Sequence, residues 1–253
     1  MSGDALGSVV AIVQARMGST RLPGKVLEPV GPSPVLGHVV ERAALASQVE
    51  TVVVATSDRP GDDAVADWAT SHAATLYRGS EADVLDRYRE AASRFDADVV
   101  VRITADCPLL SPATVDRVIH AYRQTGGDYA SNTLRYTYPD GLDVEVFSRA
   151  LLERTWQEAD AAADREHVTP YYRENPDRFS HASVTSADVF ADPVHQGRTD
   201  CRITLDEADD YRLLRAIGQH LPDAASASLP AVIDTIDAHG LASINAHVQQ
   251  KAV

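Results

Sequence analysis

Val9-Val-Ala-Ile-Val-Gln14 runs without a break into Ala15-Arg-Met-Gly-Ser-Thr-Arg-Leu-Pro-Gly-Lys25, and this join decides the fold. An apolar stretch with no polar alternation is a strand buried on both faces. Gly18, Ser19, Pro23 and Gly24 then turn the chain into a loop. Further strand-like runs stand at Thr51–Ala55, Asp98–Thr104, Asp128–Ser131 and Arg202–Leu205. Between the first four lie segments of helical spacing. The clearest is Glu81–Phe95, where Val84, Leu85, Tyr88, Ala92 and Phe95 share one face. Ser33-Pro34 and Ser111-Pro112 each place an N-cap residue before a proline at the first helical position, for helices running to about Ser47 and Thr125. Asp62–His72 predicts another helix and Thr75–Tyr77 a short strand. The alternation predicts an α/β chain with a doubly wound, mostly parallel sheet.

After Asn132 the alternation weakens. Thr133–Val146 reads as hairpin-like, Arg149–Asn175 as helical on either side of Ala163-Asp164, and Ser180–Thr185 as a strand. Asp209–Leu221 and Pro230–His239 return to helix. Residues 1–253 are expected to form one domain, with 133–185 an excursion from its sheet that serves as a lid or a subunit contact.

The 253 residues carry 37 acidic and 23 basic side chains, a formal charge of −14. Duplex binding needs a basic face to displace counterions, and no Lys/Arg run supplies one, so no nucleic-acid partner is expected. No apolar run approaches the ~18–20 residues of a membrane span. Met1–Ser8 lacks the charged start of a signal peptide. A cytoplasmic chain with no membrane partner is expected. Cys107 and Cys201 are too few for a disulfide framework or a four-ligand zinc site, and read as small buried residues. All but two of the 23 basic residues are arginines, a bias that high salt or GC-rich coding would each produce. Lys251 sits near the end, which leaves Lys25 as the only lysine in the body of the chain. Arg and Lys are not interchangeable, so Lys25 marks a place that needs a compact point charge.

The loop holding Lys25 follows the first strand, and open α/β sheets bind ligands beyond the carboxyl ends of their strands. Arg16, Arg21 and Lys25 repel one another unless an anion joins them. Gly18, Ser19 and Gly24 let the backbone approach that anion and donate to it, which suits a polyphosphate. Lys25 is followed by Val26 rather than Ser or Thr, which excludes a Walker loop, and no G-x-G-x-x-G is present. Asp106, in Arg102-Ile-Thr-Ala-Asp-Cys-Pro108, ends a central strand where a carboxylate can hold Mg²⁺ beside phosphates. Its plainer role is a turn residue. Asp206, before a helix, is a second candidate ligand and equally a good N-cap.

The pattern R-x-x-S-x-R-x-P-x-K resembles the cytidylyltransferases that activate acidic sugars, the CMP-KDO and CMP-acylneuraminate synthetases. The closer resemblance is to the spore-coat polysaccharide biosynthesis protein F family, over nearly the whole chain. Its blocks are Gln14–Lys25, Arg78–Tyr88, Arg102–Leu109, Ser131-Asn132, Tyr138–Phe147, Arg165–Pro170 and Thr204–Asp206. The resemblance implies a nucleotide-diphosphosugar-transferase (Rossmann-like) fold, CTP as donor, Mg²⁺ as cofactor, a small acidic-sugar acceptor and a homodimer. It implies that Arg16, Arg21 and Lys25 hold the triphosphate, with Ala15, Gly18, Ser19, Thr104 and Asp106 around the nucleotide. Asp106 and Asp206 would hold the metal, and Arg78, Gly79 and Ser80 would meet base and ribose. Asn132, Tyr138, Asp143, Glu145 and His167 would line the acceptor pocket. One departure is Ala105, where relatives usually have glycine; its methyl group would restrict the approach of the backbone to the nucleotide and so bears on the geometry of Asp106.

On composition alone His167 reads as a partly exposed helix histidine. Asp140, Asp143 and Glu145 read equally as a cluster that holds metal or binds acceptor hydroxyls and as a solvated hairpin face, and Trp68 and Trp156 read as packing residues. The function expected is in-line transfer of CMP from CTP to the hydroxyl of an acidic sugar such as a KDO or nonulosonic acid, for surface polysaccharide. One alternative is a sugar-nucleotide glycosyltransferase, disfavoured because Thr104-Ala105-Asp106 lacks a D-x-D pair. The other is a catalytically silent nucleotide-binding regulatory subunit.

Overall fold

The computed structural model describes residues 7–221 and 226–248; Lys251 and all of Met1–Ser8 before Gly7 lie outside them. In chain order the elements are β1 (Val9–Gln14), β2 (Pro29–Val30), β3 (Ser33–Pro34), α1 (Val35–Ala44), β4 (Thr51–Ser57), α2 (Asp63–Ser71) and β5 (Thr75–Gly79). There follow α3 (Val84–Arg94), β6 (Val99–Thr104), α4 (Pro112–Thr125), β7 (Tyr129–Ser131), β8 (Glu145–Ser148) and α5 (Arg149–Glu158). The chain closes with α6 (Ala162–His167), α7 (Pro170–Arg173), β9 (His181–Ser183), α8 (Ala208–His220) and α9 (Leu229–Ala238).

The main sheet has the order β5-β4-β1-β6-β8-β7-β9. Its first four strands are parallel, β8 runs antiparallel to both neighbours, and β9 is parallel to β7. Alternation along β1 sends Val9, Ala11 and Val13 to one face, against Leu36 and Val39 of α1 and Val115 and Ile119 of α4. Val10 and Ile12 go to the other, against Leu85 and Tyr88 of α3 and Leu152 of α5. Burial on both faces is why Val9–Val13 is apolar without a break, each valine or isoleucine there contributing about 1.5–3 kcal/mol. A third cluster packs Leu213 and Leu214 of α8 and Ile233 of α9 on Leu142, Ile203 and Leu205. Gln14 pairs with both Ala55 and Thr104, so the chains leaving β1 and β6 emerge side by side. Ala105 N–H donates to the Gln14 carbonyl at 2.9 Å, tying them together.

Ser111 caps α4 as the sequence predicts, its Oγ accepting from Thr114 N–H at 3.2 Å with Pro112 first in the helix. Ser33-Pro34 does not do the same: these residues form β3 against β2, and Pro34 itself stands at the cap of α1. Arg202–Leu205 is not a sheet strand, making only an isolated bridge from Arg202 to Asp140. The expected hairpin over Thr133–Val146 is instead a loop leading into β8, which enters the sheet between β6 and β7. The helical break falls at Ala159–Ala161, and Ala163-Asp164 lies within α6. The stretch 133–185 therefore does not leave the sheet as a whole, since it contributes β8 and β9. Glu145 explains the misreading. On β8 it faces Arg102 of β6, and this buried pair makes a central strand look like a polar surface. Among the described residues no helix is long and apolar enough to cross a membrane.

Candidate functional site

The loop after β1 is held by its own backbone and by one distant carboxylate. Met17 N–H donates to Asp62 Oδ1 at 2.7 Å, and the Met17 carbonyl accepts from Ser19 and Gly24 N–H, each at 2.9 Å. Asp62 is itself buried and bonded by the Ser57 hydroxyl. Gly24 has φ 75°, in the left-handed region that glycine tolerates, and opens the short turn Lys25–Leu27. That turn carries Lys25 inward beneath the loop, where it is 8% exposed.

There the ammonium joins the two aspartates. Lys25 Nζ lies 2.7 Å from Asp106 Oδ2 and 2.8 Å from Asp206 Oδ1. Arg21 reaches the same Asp206 oxygen at 2.8 Å, and Arg202 holds Asp206 Oδ2 at 2.9 Å. Arg202 is shared further with Asp140 and with Asp210, the latter at 2.9 Å. Burial alone would lower the Lys25 pKa, but Asp106 and then Asp206 reverse this and hold it above the ordinary lysine value. Burial pushes Asp206 up, and Lys25, Arg202 and Arg21 outweigh it, holding the carboxyl down at about 2. Both groups are charged at neutral pH. Asp206 is no cap for α8: Glu207 stands there, in a reciprocal box with Asp210.

Two cavities meet across these aspartates. One of about 220 Å³ lies under the loop, where Arg16, Gly18, Ser19, Arg21 and Lys25 face Asp106 and Asp206. The other, of about 210 Å³, is walled by Arg102, Asp140, Asp143 and Arg202 and shares Thr104, Asp106 and Asp206 with the first. Arg16 also borders a cleft of about 510 Å³ between Glu81–Val84 and α6. Among the described residues no group of three His, Cys, Asp or Glu side chains is placed to hold a metal alone. Mg²⁺ needs only one or two carboxylates when phosphates and water complete its shell. Asp106 and Asp206 already share one cation, so they fit that requirement.

The basic loop and the two aspartates thus meet, a juxtaposition that the spacing of the sequence leaves open. Ala105 is buried on the wall of the first cavity, next to Asp106, and is not among the residues with positive φ. Arg78 lies elsewhere, its guanidinium spent on the Ser57 and Arg59 carbonyls and on Asp63. Ser80 Oγ accepts from Asp83 N–H at 3.0 Å beside the Arg16 cleft, one residue on from Gly79.

Of the five residues expected around the acceptor, only Asp143 lies on the wall of the second cavity. Asn132 is buried and spends its amide on the backbone of Leu142 and Val144. Tyr138 donates to the Thr185 carbonyl and packs on Phe190. Glu145 is buried on Arg102 and accepts from the Tyr129 hydroxyl at 2.6 Å, which together overcome burial and lower its pKa. His167 is exposed at the end of α6. Sequence reading missed Asp62 and Arg202. The first lies 45 residues from the loop it holds. The second opens the run Arg202–Leu205, and its place four residues before Asp206 is the signal that was available.

A basic loop and two carboxylates meet at the carboxyl edge of this doubly wound sheet, whose fold is that of the α/β nucleotidyltransferases. Residues 10–220 match the family model for cytidylyltransferases, and the chain belongs to that family. It is 32% identical over 237 residues to the spore coat polysaccharide biosynthesis protein SpsF of Bacillus subtilis, covering 90% of this chain and 95% of that one. It is 32% identical over 141 residues to the 8-amino-3,8-dideoxy-manno-octulosonate cytidylyltransferase of Shewanella amazonensis, covering 54% of this chain and 57% of that one. A solved cytidylyltransferase from Leptospira borgpetersenii superposes with a TM-score of 0.85 at 31% identity, covering 97% and 99% of the two chains.

Proposed function

We propose that this chain transfers CMP from CTP to an acidic sugar, with release of pyrophosphate, in the cytoplasmic synthesis of a surface polysaccharide or glycan. The observation that carries the reading is the Lys25 ammonium joined to Asp106 and Asp206 where two cavities meet. The triphosphate takes the cavity under the loop, with Arg16, Arg21 and Lys25 on its charged oxygens and Gly18 and Ser19 close to its backbone. Base and ribose extend past Arg16 toward Ser80 and Glu81. The acceptor takes the second cavity, so its hydroxyl meets the α-phosphorus across the shared aspartates. The acceptor oxygen bonds to that phosphorus as its bond to the pyrophosphate oxygen breaks. Rate comes from holding the two reactants in line and from fixed positive charge on the leaving pyrophosphate. Asp106 and Asp206 would hold Mg²⁺, which neutralises charge on nucleotide oxygens when bound. Cys107 takes no part as a nucleophile, because burial and then Asp106 push its thiol well above the ordinary value.

The acidic acceptor is supported by the octulosonate substrate of the Shewanella relative, and the polysaccharide setting by the name of the Bacillus one. Tyr136, 54% exposed in the loop before β8, suits that loop to close over the acceptor or to meet a second subunit in a homodimer. Sedimentation of the purified chain with and without CTP tests the dimer, and a monomer throughout removes it. The main test is a panel of nucleotides and keto-acid sugars scored by pyrophosphate release. Release that needs CTP and one acid sugar is expected. Calorimetric binding of CTP with no release for any acceptor would make the chain a silent nucleotide-binding subunit.

A further inference from the structure

The acceptor-side cavity holds one carboxylate without a cation. Four aspartates line it. Asp106 is held by Lys25, Asp206 by Lys25, Arg21 and Arg202, and Asp140 by Arg202. Among the described residues, the Asp143 carboxylate has no hydrogen-bond or ion-pair partner, neither Asp106 nor Asp206 included.

That carboxylate is nonetheless firmly placed. Asn132 Nδ2 donates to the carbonyl of Leu142 at 2.8 Å, and Asn132 Oδ1 accepts from Val144 N–H at 2.8 Å. One buried amide therefore clamps the backbone on both sides of Asp143. Gly141 fixes the approach from the other end. It has φ +107°, and a Cβ there would sit 2.5 Å from the Thr204 backbone nitrogen. An unpaired charge on a rigid backbone, beside the wall shared with the cavity under the loop, is poor for stability and well suited to accept a proton.

We propose that Asp143 takes the proton from the acceptor hydroxyl as that oxygen attacks the α-phosphorus. The role rests on the functional reading above and supplies a base that the Lys25 cluster lacks. The O–H electron pair forms the new O–P bond, the proton passes to an Asp143 oxygen, and the pyrophosphate leaves with the electrons of the broken P–O bond. The surroundings suit this task. Burial first, and then Asp140, Glu145 and Asp106, push the carboxyl up to about 7 against the opposing pull of Arg102. Arg202 and Asp206 face the same cavity from the segment before α8, Cys107 from the turn after β6, and Tyr136 approaches from the loop itself. A base poised near neutral pH both holds its proton and releases it.

The test compares wild type, Asp143→Asn and Asp143→Glu for calorimetric CTP binding and for pyrophosphate release with an acid-sugar acceptor across pH. Asp143→Asn should bind CTP as wild type does, which also reports its folding, while kcat falls by about 10²–10⁴-fold. The acid limb near pH 7 should vanish from its profile, leaving any limb that belongs to CTP itself. Asp143→Glu should recover part of kcat with the limb displaced. A raised acceptor KM at normal kcat, or an unchanged acid limb in Asp143→Asn, overturns the role of Asp143 alone. Wild type that binds CTP and releases no pyrophosphate with any acid sugar overturns the functional reading, and this role with it.

Discussion

The cavities on either side of the Lys25 cluster are nearly equal in size, about 220 and 210 Å³, and differ in charge. Under the loop, Arg16, Arg21 and Lys25 face two aspartates, a surplus of positive charge. Across the shared wall, Asp140 and Asp143 join the same two aspartates, and the arginines there are already engaged, Arg102 by Glu145 and Arg202 by three carboxylates. With the volumes nearly equal, it is charge that suits the cavity under the loop to the triphosphate. Two residues of one strand approach repeat the contrast. Burial would raise both carboxyls, yet Glu145 is brought below its ordinary value by Arg102 and by hydrogen bonds, whereas Asp143, with no such partner, is left at about 7. A paired carboxylate builds the sheet; an unpaired one beside it is free for chemistry.

Lys25 offers the largest way to break that contrast. Lys25→Ala removes the cation common to both aspartates and should lower turnover by about 10²–10³-fold, the usual loss for a donor to developing charge. Pyrophosphate release at near wild-type rate would reduce the ammonium to a structural counter-ion. Asp106→Asn comes next. It weakens the oxygen set on the wall between the cavities, and the half-saturating Mg²⁺ concentration should rise by about 10–100-fold. An unchanged titration would return Asp106 to the plain turn residue that its place before Pro108 also allows.

Much of this contrast was legible from the chain alone, and the illegible part has a physical cause. β1 and β6 stood out because burial on both faces leaves no polar alternation, as in Val99-Val-Val101. Lys25 stood out because arginine replaces lysine almost everywhere else in the chain. Asp106 and Asp206 were found as strand-end and pre-helix carboxylates, but only the structure joins them through one ammonium. β8 was hidden by its buried glutamate, whose partner Arg102 lies 43 residues away. Asn132 and Tyr138 were expected to face the acceptor because polar residues in a loop read as contacts. Inside the protein their polar atoms are consumed by backbone groups of Leu142, Val144 and Thr185. Sequence spacing gives a side chain's position on an element and not the partner it turns toward. Asp143 and Asn132 were therefore grouped together, although one lines the cavity and the other clamps its neighbours.

The smallest expected effect sharpens the contrast through stability. The Asp143 carboxyl rises from an ordinary value of 3.8 to about 7 on folding, by burial and then by Asp140, Glu145 and Asp106. A carboxyl whose folded pKa is raised costs nothing while protonated in both states. The cost begins above the unfolded value, grows until the pH reaches the folded one, and is constant thereafter. Asp143→Asn cannot ionise and escapes that cost. Its Tm should match wild type near pH 4, draw ahead through the interval up to about 7, and stay ahead by a few degrees at pH 8. A residue kept for packing would act in the opposite sense, its replacement lowering Tm at every pH. Thermal melts followed by circular dichroism from pH 4 to 8 distinguish the two. Activity and stability then move apart in one variant, as they do where a site holds a charge for its chemistry at the expense of the fold. A Tm difference that stays flat with pH would mean that Asp143 is compensated in solution, and the two cavities would then differ only in the cations they display.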